Sequence, residues 1–393
     1  MSALKEQNRE EDFFHYEKLG LKFVGVWSTK NDSIGYKIYS SVVIAMFTCA
    51  YYIILCFDVV TQNFYDVIDS WVIFFGITVV VFMTFNWKLN ANNFEKLLLK
   101  MGKKNFVRHF YQNDRFEHSA ISKWYRYKNN YSVKYLTFFL ISTVVQLIYT
   151  LTLRYTKTDP NEWKLGYGSI SVLNVKYSPV FEIFCIYQSL AVIHVGFSFA
   201  IIFSIVVATL NFIATQFIIL QNDIKAVVLN DDTHLVDNEK LINFVNNHIS
   251  VLKLAQELSE IYNKTVLVLF LGLTSYICLD IYQLSVLSVK EFSIVTVYVE
   301  ILLSLLAIFL ICAASDNVDN ESMRLAKAVY ELNFVGTSLS FQKSLIIILR
   351  QAQKPIKIKS AGIVNVSFIT FTAILRTIYS AYTMLKTVRS NNL

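Results

Sequence analysis

The sequence carries little charge. Only 17% of its 393 residues are Asp, Glu, Lys or Arg, whereas soluble domains carry roughly 25%. Hydrophobic residues make up 54%, and the mean hydropathy is +0.44. Long uncharged runs account for the deficit, among them 41–57, 71–87 and 183–219. Because about 20 apolar residues suffice to cross the core of a bilayer, this composition excludes a soluble globular domain and predicts a membrane protein.

Signatures of catalysis, metal binding and cleavage are also missing. The five cysteines lie within or beside apolar runs and form no CxxC pair, so we interpret them as small apolar fillers. No GxGxxG, HExxH or GxSxG motif occurs, and the six histidines are scattered. We therefore expect no enzyme activity, no metal and no cofactor. The first apolar run, near Ile38, has no cleavage site behind it, which argues against a removable signal peptide.

The hydrophobic runs predict an all-α polytopic membrane protein, one domain over residues 1–393, with seven transmembrane helices. The spans are expected at about 38–60, 67–87, 131–153, 180–213, 263–286, 291–313 and 360–386. The external connection after the third span, 154–179, contains two prolines and two glycines and is expected to fold as a lid-like loop.

Lysine and arginine are distributed unevenly around these spans. If alternate segments are assigned to the inside, beginning with the N-terminus, the inside segments hold 28 of the 36 basic residues and the outside segments hold 7. Cytoplasmic loops are enriched in basic residues, so the N-terminus is predicted to be cytoplasmic and the C-terminus extracellular. The net charge of +7 largely reflects this bias. It favours membrane lipid as a partner, and no nucleic acid is expected.

Two segments between spans are amphipathic. Residues 239–262 place Leu241, Val245, Leu252 and Leu258 on one helical face, and 323–345 show a similar, less regular stripe. We expect residues 214–262 and 314–358 to form cytoplasmic helical extensions that pack together as an anchor region. Residues 91–110 are expected to lie at the membrane interface instead.

The C-terminal 60 residues carry a specific pattern. It consists of Tyr330–Phe334, Gln342-Lys343, Gln353-Lys354-Pro355, Ala361-Gly362, Ser367, Phe371, Leu375-Arg376 and Tyr379-Ser380. This pattern resembles the signature of the insect odorant receptor family. Phe334 stands where that family usually has Trp, Phe368 where it has Leu, and Arg376 where it has Lys; all three keep size or charge.

The resemblance implies a ligand-tuning subunit that assembles with the odorant receptor co-receptor, as a hetero-oligomer of four subunits, into a non-selective cation channel. A small volatile odorant would open a central pore to which each subunit contributes its last helix, here 360–388. The implied location is the plasma membrane of olfactory sensory neuron dendrites. The co-receptor has a longer second cytoplasmic loop, so this chain is similar to the tuning partner.

In the family the ligand site lies in the outer half of the bundle, among the second, third, fourth and sixth spans. We select twelve candidates from these spans by their expected depth in the membrane and their side-chain type: Trp71, Phe74, Phe75, Thr78, Gln146, Tyr149, Thr150, Phe184, Tyr187, Ala191, His194 and Tyr298. On the last helix, spacing places Thr377, Ser380, Met384 and Val388 on one face, and the resemblance implies that Met384 and Val388 form an apolar gate.

Four polar residues inside the spans each allow two interpretations. His194 is either satisfied by a neighbouring helix or a polar contact for ligand. Asp280, Glu300 and Arg376 must pair or face water, because charges are costly in the membrane. We consider both an interhelical contact between Glu300 and Arg376 and the lining of a water-filled conduit.

Other receptor classes fit less well. A metabotropic seven-helix receptor needs an extracellular N-terminus, and neither an Asp-Arg-Tyr nor an Asn-Pro-x-x-Tyr motif is found in the third and seventh spans. A gustatory-type receptor channel would carry a Thr-Tyr…Gln-Phe signature in the last span, which is missing. A transporter would be expected to show internal repeats or broken helices.

Overall fold

A computed structural model describes residues 12–30, 32–61, 68–102, 106, 115–157, 159–168, 170, 175–230, 235–286 and 293–391. The helices are α1 (His15–Phe23), α2 (Ile34–Val43), α3 (Ala50–Thr61), α4 (Ile68–Leu89), α5 (Ala91–Met101), α6 (Arg115–Thr156), α7 (Val180–Lys225), α8 (Asn238–Val286), α9 (Ser293–Tyr330), α10 (Leu339–Ala352) and α11 (Phe368–Asn391). A π-helical segment, Ile44–Cys49, joins α2 to α3 into one continuous span, and Pro160–Glu162 form a 3-10 turn. Two short antiparallel hairpins pair β1 (Val228–Asn230) with β2 (Leu235–Val236), and β3 (Lys359–Ser360) with β4 (Val364–Asn365).

Within the described residues, six helices are long and apolar enough to cross a membrane. They cover the first six predicted spans, although the predicted starts of the second and sixth spans, residues 67 and 291, lie outside the described residues. The seventh predicted span corresponds to α11, whose 24 residues are long enough to cross. Its threonines, serines and Arg376 make its most apolar stretch more polar than those of the other six helices.

Helix α7 forms the centre of the bundle. In its most apolar stretch 67% of the residues are buried within the protein, against 11% in α6 and 22% in α9. It packs against α6 and α9 along most of its length and also contacts α8. A helix that is apolar on all sides is buried on all sides, whereas α6 and α9 leave apolar faces exposed, as expected for contact with lipid.

The helices extend beyond the hydrophobic spans. Residues 239–262 continue without interruption into the fifth span as α8, and α9 continues 17 residues past the predicted end of the sixth span. Helix α6 begins at Arg115, well before the predicted start at 131. Its early turns are amphipathic, and Trp124 packs edge-on against Phe212 of α7, with ring centroids 5.0 Å apart.

Helix α5 packs on the bundle, because the ring of Phe94 stacks on Trp87 at 3.8 Å and also contacts Tyr262 of α8. The interfacial position of residues 91–110 stays a prediction, and 103–105 and 107–110 lie outside the described residues. One expectation about local structure is wrong. The last helix begins at Phe368 rather than at residue 360. Ala361 and Gly362 have φ values of 52° and 70°, which close the β3–β4 hairpin and cannot continue a right-handed helix.

Candidate functional site

An apolar cavity lies within the helix bundle. Its volume is about 160 Å³. The lining consists of Ile73, Gly76, Ile77 and Val80 from α4; Tyr135, Phe139, Ser142 and Thr143 from α6; Tyr167 from the following connection; Val192, Val195, Gly196 and Phe199 from α7; Leu273 and Tyr276 from α8; and Glu300, Leu303 and Ser304 from α9. A mostly apolar lining with few polar groups is typical of a site for a small organic molecule.

Two glycines allow the walls of the cavity to approach each other. A methyl group at Gly196 of α7 would overlap the ring of Phe139 on α6. A methyl group at Gly76 of α4 would lie 3.0 Å from Cε2 of Tyr276 on α8. Because Gly196 and Gly76 have no side chain, the rings of Phe139 and Tyr276 can occupy their positions in the lining.

Tyr167 enters the cavity from a connection that is fixed by hydrogen bonds. Its carbonyl oxygen accepts hydrogen bonds from the hydroxyl of Tyr51, at 2.6 Å, and from Nε2 of Gln188, at 2.9 Å. Nε2 of Gln188 also donates to the carbonyl oxygen of Gly168 at 3.1 Å. These contacts hold the described part of the connection against the first span and α7, as expected for a folded loop.

The polar centre of the lining is formed by α8 and α9. The hydroxyl of Tyr276 donates a hydrogen bond to Oε2 of Glu300, at 3.0 Å. Arg376 lies exposed on α11 and forms no ion pair with Glu300, so the expected contact between these two residues is not made. Asp280, one helical turn beyond Tyr276, is fully buried, and neither of its carboxylate oxygens has a hydrogen-bond partner within the described residues.

None of the twelve predicted ligand contacts lines this cavity, although four of its five helices contain the predicted spans. On α4, the ring of Phe74 stacks on Tyr52 at 5.5 Å, and Trp71 and Phe75 pack beside Phe74. Thr78 Oγ1 lies 2.6 Å from the carbonyl oxygen of Phe74, to which it donates. These four residues occupy turns shared with the lining residues of α4 but are not part of the lining.

The predicted residues of α6 and α9 lie elsewhere. Gln146 donates through Nε2 to the carbonyl oxygen of Gly166, and Thr150 donates to the carbonyl oxygen of Gln146. Tyr149 is partly buried nearby, one turn or more beyond the α6 residues that line the cavity. Tyr298 is 61% exposed on the surface of α9.

The predicted residues of α7 mainly contact the first span. Phe184 and Tyr187 pack together, and the hydroxyl of Tyr187 donates to the carbonyl oxygen of Met46. Ala191 is fully buried in the same cluster. His194 Nε2 lies 2.9 Å from the carbonyl oxygen of Val24, and Nδ1 lies 3.3 Å from Thr48 Oγ1. Since a carbonyl oxygen can only accept, Nε2 carries the proton and this histidine joins α7 to two neighbouring elements.

Three of the four predicted pore residues share an exposed face of α11. Thr377 and Ser380 are exposed, and Met384 is 69% exposed, whereas Ile378 on the opposite face is buried. The side chain of Val388 lies outside the described residues. The face predicted to line a pore is therefore exposed on this subunit at the three described positions.

Sequence reasoning missed Tyr276 and the two glycines of the lining. Tyr276 lies in the fifth span, whereas the resemblance places the ligand site among the second, third, fourth and sixth spans. An intramembrane glycine signals close helix approach, and Gly76 and Gly196 could have indicated which faces of α4 and α7 meet their neighbours.

Comparison with known proteins gives consistent matches. The model of the 7tm odorant receptor family matches residues 63–379. Putative odorant receptor 92a of Drosophila melanogaster is 25% identical over 192 residues, covering 49% of this chain and 47% of that protein. Odorant receptor 67a of the same species is 28% identical over 153 residues, covering 39% of this chain and 37% of that protein. The chain thus matches less than half the length of these relatives.

Solved structures extend the similarity to nearly the whole chain. The insect olfactory receptor OR5 from Machilis hrabei, in complex with eugenol, superimposes with a TM-score of 0.80 at 17% identity, covering 96% of this chain and 100% of that one. A second structure of the same receptor gives a TM-score of 0.75 at 18% identity. This likeness establishes the fold, and the prediction of an all-α protein with seven transmembrane helices is confirmed.

Proposed function

The chain belongs to the 7tm odorant receptor family, and from that premise we propose that it is the ligand-binding subunit of an odorant-gated, non-selective cation channel. The observation that carries the proposal is the apolar cavity lined by α4, α6, α7, α8 and α9. Five helices meet around it, so a molecule bound there contacts most of the membrane bundle and can favour one arrangement of the helices over another.

The size of the cavity supports a small volatile ligand. A dry protein cavity of about 150 Å³ lined by Leu, Ile and Phe holds benzene, and the cavity here measures about 160 Å³. The similar Machilis hrabei receptor is in complex with eugenol, a single-ring odorant. We infer that the ligand of this chain is a molecule with one small ring or a short chain.

The channel would be shared with the odorant receptor co-receptor, in a hetero-oligomer of four subunits. Support comes from α11, which leaves Thr377, Ser380 and Met384 exposed. Around a central axis, equivalent faces of four such helices would place hydroxyl groups and an apolar ring along the ion path, with Val388 one turn beyond Met384.

The helical extensions would provide the subunit contacts. We propose that residues 214–262 and 314–358 form the cytoplasmic anchor, with the N-terminus inside and the C-terminus outside the plasma membrane of sensory neuron dendrites. Support for this orientation is the excess of basic residues in the inside segments, 28 against 7.

The test is a current recording with and without the co-receptor. Odorant-evoked cation current should appear when the two chains are expressed together and should be absent with this chain alone. In the cavity, Val192→Phe and Leu303→Phe remove ligand volume and should raise the half-maximal concentration at least about tenfold, since overpacking costs about 1–3 kcal/mol. Leu302→Phe, the same change at an exposed neighbouring position of α9 outside the lining, is the matched control and should behave as wild type.

The same recordings distinguish this cavity from the twelve residues selected by sequence. Substituting Phe75, Tyr149 or Tyr187 by Ala should change odorant rank order only if the ligand lies on their side of the bundle. If these variants change odorant selectivity while Val192→Phe and Leu303→Phe do not, the ligand binds at the residues predicted from sequence and not in this cavity.

A further inference from the structure

The cavity has one acidic group and no basic group in its described lining. Glu300 is the charged residue there, and no Lys, Arg or His contributes to the wall. Its one described hydrogen bond comes from the neutral hydroxyl of Tyr276. A carboxylate in an apolar setting is costly unless it is protonated or paired with a cation. Within the described part of the chain, no protein cation fills that role.

A second acidic group lies close to the first. Asp280 follows Tyr276 by one turn on α8, is 0% exposed, and has no hydrogen-bond partner for either oxygen among the described residues. It interacts electrostatically with Glu300. Asp280 is not part of the lining itself. Because the described lining contains no basic group, an ionised Glu300 carboxylate favours a positively charged occupant over a neutral one.

The remaining walls suit an organic cation better than a metal ion. Tyr135, Phe139, Tyr167, Phe199 and Tyr276 present aromatic rings to the cavity. Aromatic faces attract ammonium groups, and a carboxylate beside them supplies the countercharge. Calcium requires six to eight oxygen ligands, and the described residues contain no group of three or more possible metal ligands.

We propose that this cavity prefers protonated amines, with the ammonium group paired to Glu300 and the hydrocarbon body packed against the aromatic walls. The inference rests on the proposed function in assigning ligand to this cavity, and it adds the chemical class of that ligand. The volume of about 160 Å³ suits a ligand with a single small ring or a short chain.

Binding to the purified full-length chain tests the proposal directly. Benzylamine and benzyl alcohol have nearly the same shape, but only the amine is charged at neutral pH. Isothermal titration calorimetry should show wild type preferring the amine by about 10- to 100-fold, the order of effect expected for hydrogen bonds to charged groups. Glu300→Gln should abolish that preference while leaving the affinity for benzyl alcohol within about threefold.

Glu331→Gln is the matched control, because it makes the same change at an exposed residue directly after the end of α9 and outside the cavity. It should keep the wild-type preference. If Glu300→Gln does not fold, the wild-type chain still decides the question: benzylamine should bind more tightly than benzyl alcohol, and benzoate most weakly. Equal affinity of wild type for the amine and the alcohol, tighter binding of benzoate, or an intact preference in Glu300→Gln would overturn the proposal.

The outcome is separable from that of the channel experiment. A chain that binds benzylamine selectively but produces no odorant-evoked current with the co-receptor refutes the proposed gating and leaves the amine site standing. A channel that opens to neutral odorants, with no preference for the amine in the binding measurement, refutes the amine site alone.

Discussion

The ring of Phe139 on α6 packs directly against the backbone of Gly196 on α7, so closely that a methyl group at Gly196 would overlap it. Both residues line the cavity. The contact therefore sets the separation of α6 and α7 where a ligand would bind.

Gly196→Ala should disturb both packing and ligand binding. The added methyl group must push Phe139 into the cavity or separate the two helices, and overpacking of this kind costs about 1–3 kcal/mol. We expect a lower melting temperature of the purified protein and at least about tenfold weaker ligand binding. Gly35→Ala is the control, because nothing lies within 4 Å of that position. Phe139→Ala combined with Gly196→Ala should restore the melting temperature in part; no recovery would show that the ring is not the obstacle.

Lys128 should be important for attaching the N-terminal segment. Its ammonium group lies 2.7 Å from Oε1 of Glu17 and donates to the carbonyl oxygen of Phe13 at 2.6 Å, and both side chains of the pair are almost fully buried. Lys128→Met leaves Glu17 buried without its partner, which typically costs about 3–5 kcal/mol. Melting of the purified protein should show this loss.

A second substitution tests whether the loss of stability in Lys128→Met comes from the unpaired charge of Glu17. Glu17→Gln in the Lys128→Met background removes the unpaired charge and should recover much of the lost stability. The exposed pair Lys327 and Glu331 provides the control, since Lys327→Met should change melting little. If the single and double variants at Lys128 and Glu17 melt alike, the buried pair does not stabilise the fold in this way.

The positions of the spans could be predicted because each apolar run in the sequence is about as long as a membrane-spanning helix. The start of α11 could not be predicted from hydropathy, because it depends on the left-handed backbone conformation of Ala361 and Gly362. The hydrophobic pattern likewise predicts where α6 crosses the membrane. It does not predict that the helix begins as early as Arg115, because hydropathy does not show how far a polar helix extends outside the bilayer.

The faces of the helices were harder to predict than their positions. On α4 the candidate Phe75 and the lining residue Gly76 are adjacent, and both faces of that helix are apolar because lipid and protein interior are equally apolar. Hydrophobic periodicity therefore cannot separate them. Glu300 was singled out from sequence because an intramembrane charge is costly, and it does line the cavity.

Tags at the two ends of the chain should lie on opposite sides of the membrane. The basis is the excess of basic residues in alternate segments together with seven spans. Antibody staining of intact cells should detect a tag placed after Leu393, and an N-terminal tag only after permeabilisation. Staining of an N-terminal tag on intact cells would reverse the proposed orientation and favour a metabotropic receptor.

Met384→Ser should change conduction without changing recognition. Met384 is 69% exposed on the same face of α11 as Thr377 and Ser380, and a polar group in an apolar ring lowers the cost of wetting a constriction. Whole-cell recordings with the co-receptor should show a higher basal current or a shifted reversal potential, while the rank order of odorants stays as in wild type. Val388→Ser, one turn beyond, should act in the same direction.

The effects should be modest, because the co-receptor would supply the rest of the ring. Leu375→Ser is the control: it lies nine residues from Met384, which at 3.6 residues per turn places it on the opposite side of α11. It should leave permeability unchanged. If Met384→Ser and Val388→Ser match wild type in basal current, reversal potential and sensitivity to channel blockers, this face of α11 does not line the ion path. The same conclusion follows if Leu375→Ser alters permeability as much as they do.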